Sequence, residues 1–301
     1  MPDLPALSGL AMLSVVVESG SFTEAGRRLG MSASGVSRAI TRLERRVGVR
    51  LLGRTTRQLR LTTEGLAIHQ AAASHLSALD DAISLATTGA HAVRGRLRVG
   101  IPALFARHVL GPNLARFAAR HPELELVVLV GESGDLIAQG LDLALRFGDQ
   151  PDSPMSAVLL LQTRVLTVAS PAYLARCGTP AHPEELVRHE CLHYLDPQQG
   201  RPFEWEFHRA GRVLPVQVPT RYVFSDVDAK LAACEGGLGI TQVLACTTRP
   251  AIEAGRLVQL FADWPDERFP LYAVRPSRRL APASVTAFLD QCREWCAALP
   301  D

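Results

Sequence analysis

The amino-acid sequence predicts a multidomain chain: an all-α helix-turn-helix unit with a short β wing comes first, one long helix follows, and a mixed α/β region makes up the rest. Three observations carry that prediction. Apolar residues recur at helical spacing between capping signals over the first 50 positions. Between Arg27 and Arg60 there are ten arginines and a single acid, Glu44. From Gly95 onward, short runs rich in Val, Ile and Leu alternate with segments at helical spacing. The charge is local: the 301 residues carry a formal net charge of +2, yet residues 1–65 hold ten basic and five acidic side chains against 22 and 25 in the remainder. Positive charge concentrated on a folded pattern marks a unit that binds a polyanion, nucleic acid above all. Lys230 is the only lysine beside 31 arginines, so it is the clustering and not the identity of the arginines that carries information.

Three helices are read at roughly Leu7 to Glu18, Thr23 to Leu29 and Ala33 to Val47. Ser21 or Phe22 opens the second, Gly30 ends it, and Ser32 N-caps the third. At 100° per residue, Val36, Ile40, Leu43 and Val47 form one buried stripe of the third helix, and Ser34, Arg38, Thr41 and Arg45 lie opposite, flanked by Ser37 and Arg42. A helix of this length spans about 22 Å, enough to lie along a major groove and meet both rims. LLGRTTRQLRLTTEG (51–65) follows as a β-prone ribbon bearing Arg54, Arg57 and Arg60. Thr62 or Thr63 then caps a long helix from about Glu64 to Ala92, whose thin stripe of Leu66, Leu76, Leu79 and Ile83 suits pairing with a second copy. The strands expected beyond it are 97–101, 124–130, 141–147, 164–170, 221–225, 239–244 and 271–275, with helices between many of them, hence a parallel or mixed sheet. DQPDSP (149–154) separates one such unit from the next.

Other function classes are weakened by particular residues. The N-terminus has no positive n-region, its apolar run from Leu10 to Val17 is broken by Ser14, and no later run has the length a bilayer requires, so a cytoplasmic chain without a membrane span is expected. The six cysteines form no CxxC pair and read as reduced thiols. His189-Glu190-Cys191-Leu192-His193 spells the HExxH zinc-protease pattern. That pattern needs a continuous helix, whereas CLHYL followed by Asp196-Pro197 reads as a turn entering a strand, where positions 189 and 193 would stand about 13 Å apart. Neither a metal site, a cofactor nor a catalytic residue is expected, and a zinc hydrolase is kept only as a weak alternative. GGLG at 236–239 follows a helix and precedes a strand, the reverse of the phosphate-binding order, and reads as a helix end with its turn. Cys292 and Cys296 sit one turn apart on the last helix and pack with Phe288, Leu289 and Trp295.

SGSFTEAGRRLGMSASGVSRAITRLERRVGVRLLGRTTRQLRLTTEG (19–65), GRLRVGIP (95–102), LDLALRFG (141–148), VASPAYLARCGTP (168–180), CLHY (191–194) and EGGLGI (235–240) together resemble the LysR-type transcriptional regulators over essentially the whole chain. The resemblance implies a winged helix-turn-helix domain at 1–63, a dimerising linker helix at 64–93, and an effector-binding domain at 94–301. That last domain is like the periplasmic binding proteins, with one subdomain at 95–165 plus 269–301 and the other at 166–268. It implies sequence-specific binding to double-stranded DNA by a homodimer, or a homotetramer on two half-sites, under the control of a small-molecule effector. An architectural DNA-binder without ligand is the alternative from another class. Carried over by position, the DNA contacts are Ser32, Ala33, Ser34, Ser37, Arg38, Thr41 and Arg42, with Arg54 and Thr55 in the wing. Arg38 forks either a guanine edge or a phosphate. Many members have Gln at the position of Ala33, so DNA shape carries more of the recognition here.

A ligand in such a fold sits at the C-terminal ends of strands, where helix N-termini point inward. The candidates are Pro102, Ala103, Leu104, Arg146, Phe147, Ser170, Ser225, Asp226, Val227 and Gln242. Related members often have Ser or Thr near Leu104, a hydroxyl this chain lacks. Arg146 is the natural partner for an anion, or else pairs with Asp142 or Asp149.

Overall fold

The structure is a computed structural model that describes residues 4–53, 59–69, 71–72, 76, 93–131, 136, 139–149, 155–196, 199–276 and 282–300. Helices α1 (Leu4–Ser19), α2 (Phe22–Leu29) and α3 (Ala33–Val47) make a three-helix unit around Leu13, Val16, Ala25, Val36, Ile40, Leu43 and Leu51. α1 begins three residues earlier than its apolar pattern, because Pro5 is tolerated in the first turn, where its missing N–H would have no partner anyway. Val47 is exposed and leaves the predicted stripe, whose fourth member is Ala39. It occupies the last helical position, just before Gly48 turns the chain in the left-handed region.

The wing closes through one antiparallel bridge, Leu52 to Leu61; Arg54 and Thr55 lie outside the described residues. Thr62 accepts from the Gly65 N–H at 2.9 Å and caps α4, whose described residues are 63–69, 71–72 and 76. Leu66 is exposed there, and Leu79 and Ile83 lie outside the described residues.

The α/β region runs β1 (Gly95–Ile101), α5 (Ala103–Phe105), a π-turn at Ala106–Leu110, α6 (Gly111–Arg120), β2 (Leu124–Val130), β3 (Leu143–Phe147) and β4 (Met155–Ala169). It continues with α7 (Pro171–Cys177), β5 (Cys191–Asp196), β6 (Arg201–Pro202), β7 (Trp205–Arg209), β8 (Arg212–Val216) and β9 (Tyr222–Phe224). α8 (Val227–Glu235), β10 (Ile240–Leu244), α9 (Ala245–Glu253), β11 (Val258–Leu260), β12 (Arg268–Pro276) and α10 (Ala283–Ala297) complete it. The main sheet has the order β2-β1-β3-β12-β4-β10-β5-β6, with β11 also on β4 and β9 on β5.

β4 is the structural pivot. Its residues Met155 to Arg164 pair with β12, and Val165 to Ala169 pair with β10. One strand therefore belongs to two lobes. The first lobe packs α5, α6 and α10 on Leu97, Val99, Ile101, Leu143 and Leu145, with Cys292 and Cys296 buried beside Phe288, Leu289 and Trp295. In the second lobe side chains alternate across the sheet. Leu166, Val168, Leu192 and Val243 form one core with Cys234 of α8 and Ala245 and Ala251 of α9; Ala169, Cys191 and Ile240 form another with Tyr173, Trp205 and Phe207.

Candidate nucleic-acid interface and ligand cleft

Local chemistry sets the turn between α2 and α3. Ser21 accepts from the Glu24 N–H at 3.1 Å, Gly30 ends α2 with φ 64°, and Ser32 accepts from the Gly35 N–H at 3.1 Å. Gly26 allows the close approach: a Cβ there would lie 2.6 Å from the Met31 carbonyl oxygen. With Val36, Ala39, Ile40 and Leu43 buried, α3 presents Ser34, Ser37, Arg38, Thr41 and Arg42 on its exposed side, and Ala33 is half-buried beside them.

The polar groups of that face divide into committed and available. Ser32 Oγ is committed to the cap and lies 3.1 Å from Ser34 Oγ. Thr41 Oγ1 donates to Ser37 O at 3.0 Å, and Arg38 Nε donates to Ser34 O at 3.3 Å, while among the described residues the two terminal amino groups of Arg38 have no hydrogen-bond partner. Glu44, the one acid of the segment, serves the fold: its Oε1 accepts from the N–H groups of Leu51 and Leu52 at 2.8 and 3.2 Å. Arg42, Arg45 and Arg46 rim a groove floored by Pro5, Gly9, Met12 and Leu43. The exposed face is therefore hydroxyl-bearing and cationic, suited to phosphate oxygens and base edges.

In the α/β region, β1, β2 and β3 run parallel toward the pivot of β4, and β5, β9 and β10 reach it from the other lobe. The lobes touch there. His108 Nε2 lies 2.7 Å from Asp228 Oδ1, and Arg107 is 3.5 Å from the same carboxylate, so α8 of one lobe is tied to the π-turn of the other. Rings continue the contact: Phe147 stacks on Phe269 with centroids 6.1 Å apart, Phe269 meets Phe203 edge to face at 5.9 Å, and Phe203 stacks on Tyr194 at 6.1 Å. Lys230 lies 5.7 Å from the Tyr194 centroid and donates to the Gln242 carbonyl at 2.6 Å. Burial holds its ammonium down at about 8.

The ten residues expected at this cleft do not all gather. Pro102 and half-buried Ala103 open α5, and Leu104 is buried with 6% of its surface exposed. Ser225, Asp226 and Val227 lead into α8, with the Asp226 carboxylate accepting from the Ala229 N–H at 2.7 Å. Gln242 supplies the carbonyl for Lys230, while its amide donates to Glu206 O at 3.2 Å. Phe147 joins the ring row, but Arg146, the next residue on β3, projects to the opposite face of the sheet. Asp142 accepts from the Arg98 N–H at 2.8 Å, and burial raises its carboxyl. Ser170 is buried at the far end of β4, where it accepts from the Tyr173 N–H at 3.4 Å. β4 runs away from the pivot, so the C-terminal end of this antiparallel strand is the wrong end. Tyr194, Phe203, Lys230, Asp228 and Phe269 were not among the expected residues. Lys230 stood out as the sole lysine, yet its burial has no signature in sequence.

The HExxH segment is split. His189 follows a 3₁₀ turn (Pro183–Arg188) and precedes β5, so the two histidines do not share a strand as expected. His189 Nδ1 lies 3.1 Å from the Tyr173 hydroxyl, and His193 Nε2 donates to Pro219 O at 3.0 Å. Burial lowers both imidazoles. Among the described residues no three His, Cys, Asp or Glu side chains gather as a metal site, and no helix is long and apolar enough to cross a membrane. The thiol of Cys234, pushed up to about 12 by burial, donates to Val168 O and Gly239 O and is a packing group.

Residues 7–66 match the family described as bacterial regulatory helix-turn-helix protein, lysR family, and residues 90–297 match the LysR substrate binding domain. A probable HTH-type transcriptional regulator, LtrA of Klebsiella pneumoniae, is 32% identical over 99% of this chain and 97% of its own length. The structure of CrgA, a LysR-type transcriptional regulator from Neisseria meningitidis, is 34% identical, covers 96% of this chain and 98% of its own, and superposes with a TM-score of 0.62. The full-length Vibrio cholerae virulence activator AphB is 27% identical over 95% of this chain and 98% of its own, with a TM-score of 0.60. With both domains matched and the same architecture throughout, the chain belongs to the LysR family of transcriptional regulators.

Proposed function

We propose that α3 lies in the major groove of double-stranded DNA and that a small molecule held between the two α/β lobes controls the complex. One observation carries the reading most directly: α3 buries Val36, Ala39, Ile40 and Leu43 and turns Ser34, Ser37, Arg38, Thr41 and Arg42 to solvent. On this reading the contacts are Ser32, Ala33, Ser34, Ser37, Arg38, Thr41 and Arg42, with Arg54 and Thr55 following the wing. The cap at Ser32 and the first-turn N–H groups of α3 favour a phosphate, and Arg38 brings free guanidinium donors. The long helix at 64–93 pairs two copies, for which the exposed Leu66 supplies apolar surface. Pairs of dimers then occupy adjacent half-sites in the cytoplasm, and the protein catalyses no reaction.

Arg38→Ala is the test. Operator affinity is expected to fall by about 1–3 kcal/mol, with one position of the site read less strictly. An unchanged affinity and unchanged base preference in a gel-shift titration contradicts the assignment. Ligand control is tested separately, since a bound effector stabilises the folded chain by RT ln(1 + [L]/Kd).

A further inference from the structure

Glu18 stands where the helical unit meets the α/β region. It lies in the last turn of α1, and its carboxylate serves two partners: Oε1 accepts from Arg96 of β1 at 2.6 Å, and Oε2 accepts from Arg28 of α2 at 3.3 Å. Arg28 also donates to Ser19 Oγ at 3.4 Å, so one arm of this contact stays within the helical unit while the other leaves it. Arg96 is anchored in turn, reaching Glu125 on the neighbouring strand β2 at 3.0 Å. The linker helix passes the same junction: burial lowers the imidazole of His69 on α4, and the opposing fields of Glu18 and Arg98 both reach it.

Both ends of the Glu18–Arg96 pair are set in rigid parts. α1 packs on α3 through Leu13, Val16, Val36, Ile40 and Leu43, so whatever fixes the direction of α1 also fixes that of α3. β1 is held on both sides by parallel β2 and β3, with Leu97, Val99 and Ile101 buried. The pair itself is open to water, with 28% of the Glu18 and 34% of the Arg96 side chain exposed, and an ion pair so placed adds little to folding stability. What it fixes is an angle between two packed units. Ser37, Arg38, Thr41 and Arg42 remain exposed beside it, so the contact orients α3 without covering its outer face.

We propose that Glu18 and Arg96 are positioning residues for DNA recognition: their pairing holds each α3 at one orientation on its own α/β region and thereby sets the half-site spacing that two copies accept. This rests on the reading that two copies bind adjoining half-sites. Moving one half-site by a single base pair displaces it by about 3.4 Å and turns it by about 34°, a change that only a pivoting unit follows.

The test compares full-length wild type with Glu18→Gln, Arg96→Gln and Arg28→Gln on two DNA duplexes. One is an operator recovered with the purified protein from genomic fragments; the other has one base pair inserted between the half-sites and one removed from an end. The duplexes carry the same number of phosphates, so a change of net charge cancels in the ratio of the two affinities. Wild type is expected to prefer the recovered spacing by at least about tenfold, since linked modules lose joint binding when the geometry no longer fits both sites. Glu18→Gln and Arg96→Gln should each reduce that preference about three- to fivefold, the factor an exposed ion pair supplies, and the double variant no further. Arg28→Gln, which breaks only the arm inside the helical unit, should keep it. An unchanged preference in Glu18→Gln and Arg96→Gln overturns the inference, as does a loss in only one of them or an equal loss in Arg28→Gln. A wild type indifferent to the inserted base pair overturns the reading of two half-sites, and the role proposed for the pair falls with it.

Discussion

Glu44 shows how one residue escapes a charge-counting view of the sequence. Among ten arginines it looks like a lapse in a cationic face, but its carboxylate accepts two backbone N–H groups and fixes the start of the wing. Glu44→Ala leaves those donors at Leu51 and Leu52 unpaired. Thermal or urea denaturation is expected to show a loss of about 1–3 kcal/mol, and Glu44→Gln, which retains an acceptor oxygen, to recover part of it. Lys230 makes the second case, and its sign follows from linkage. Its folded pKa of about 8 lies below the ordinary 10.5, so its contribution to stability is present above pH 10.5 and is lost as pH falls through 8. At neutral pH the folded chain carries the full cost of the buried charge. Relative to wild type, Lys230→Met is expected to be more stable at pH 7 than at pH 10.5 by on the order of 3 kcal/mol, measured by denaturation at the two pH values. A pH-independent difference contradicts the buried-charge account. Sequence shows that both residues are unusual, one by sign and one by identity, but not which atoms they face.

Elements were legible where their limits are local. Ser21, Gly30, Ser32 and Gly48 cap α2 and α3 through side chains or φ values that depend on a few neighbours, and both helices fall where the sequence places them. Strands set by distant partners were less legible. The expected strand at 164–170 is the end of the longer β4, whose first ten residues pair with β12 across more than a hundred positions of sequence. The β7–β8 hairpin escaped because its two-residue turn is Ala210-Gly211, with φ of 48° and 78°, instead of the Asn-Gly that announces such turns. Asp266 accepts from the Ala210 N–H at 2.7 Å and stabilises the uncommon backbone. The close packing of α2 on α3 gives a prediction at the same scale. Gly26→Ala sets a methyl group 2.6 Å from the Met31 carbonyl oxygen, and something in the turn has to move. A loss of about 1–3 kcal/mol in stability is expected, together with weaker DNA binding; a stabilised variant by denaturation contradicts the stated packing.

At the scale of the molecule, two features decide what the chain does: one strand shared by two lobes, and a net positive charge concentrated at one end. The two-lobe plan was legible through family resemblance, since periodicity alone reports only an α/β sheet, and the change of partner at Arg164 and Val165 is a long-range event. The cleft was legible in part. The C-terminal-end rule picks Phe147, which joins the ring row, and Asp226 and Val227, which open α8, but it also picks Ser170 at the far end of antiparallel β4, and it had no means of seeing that Phe203 and Phe269 meet. Ion pairs also join the parts: Glu18 of α1 accepts from Arg96 of β1 at 2.6 Å, and Arg96 reaches Glu125 at 3.0 Å. The charge asymmetry was fully visible, and it leads to the most direct test. Binding of the full-length protein to its operator should be measured as a function of salt, for wild type and Arg38→Ala. Each neutralised phosphate contributes about 0.9 to the slope of log K against log salt, and two copies of α3 with their wings predict a slope steeper than about −4. A slope near zero contradicts the assignment of the arginine-bearing face of α3 to DNA.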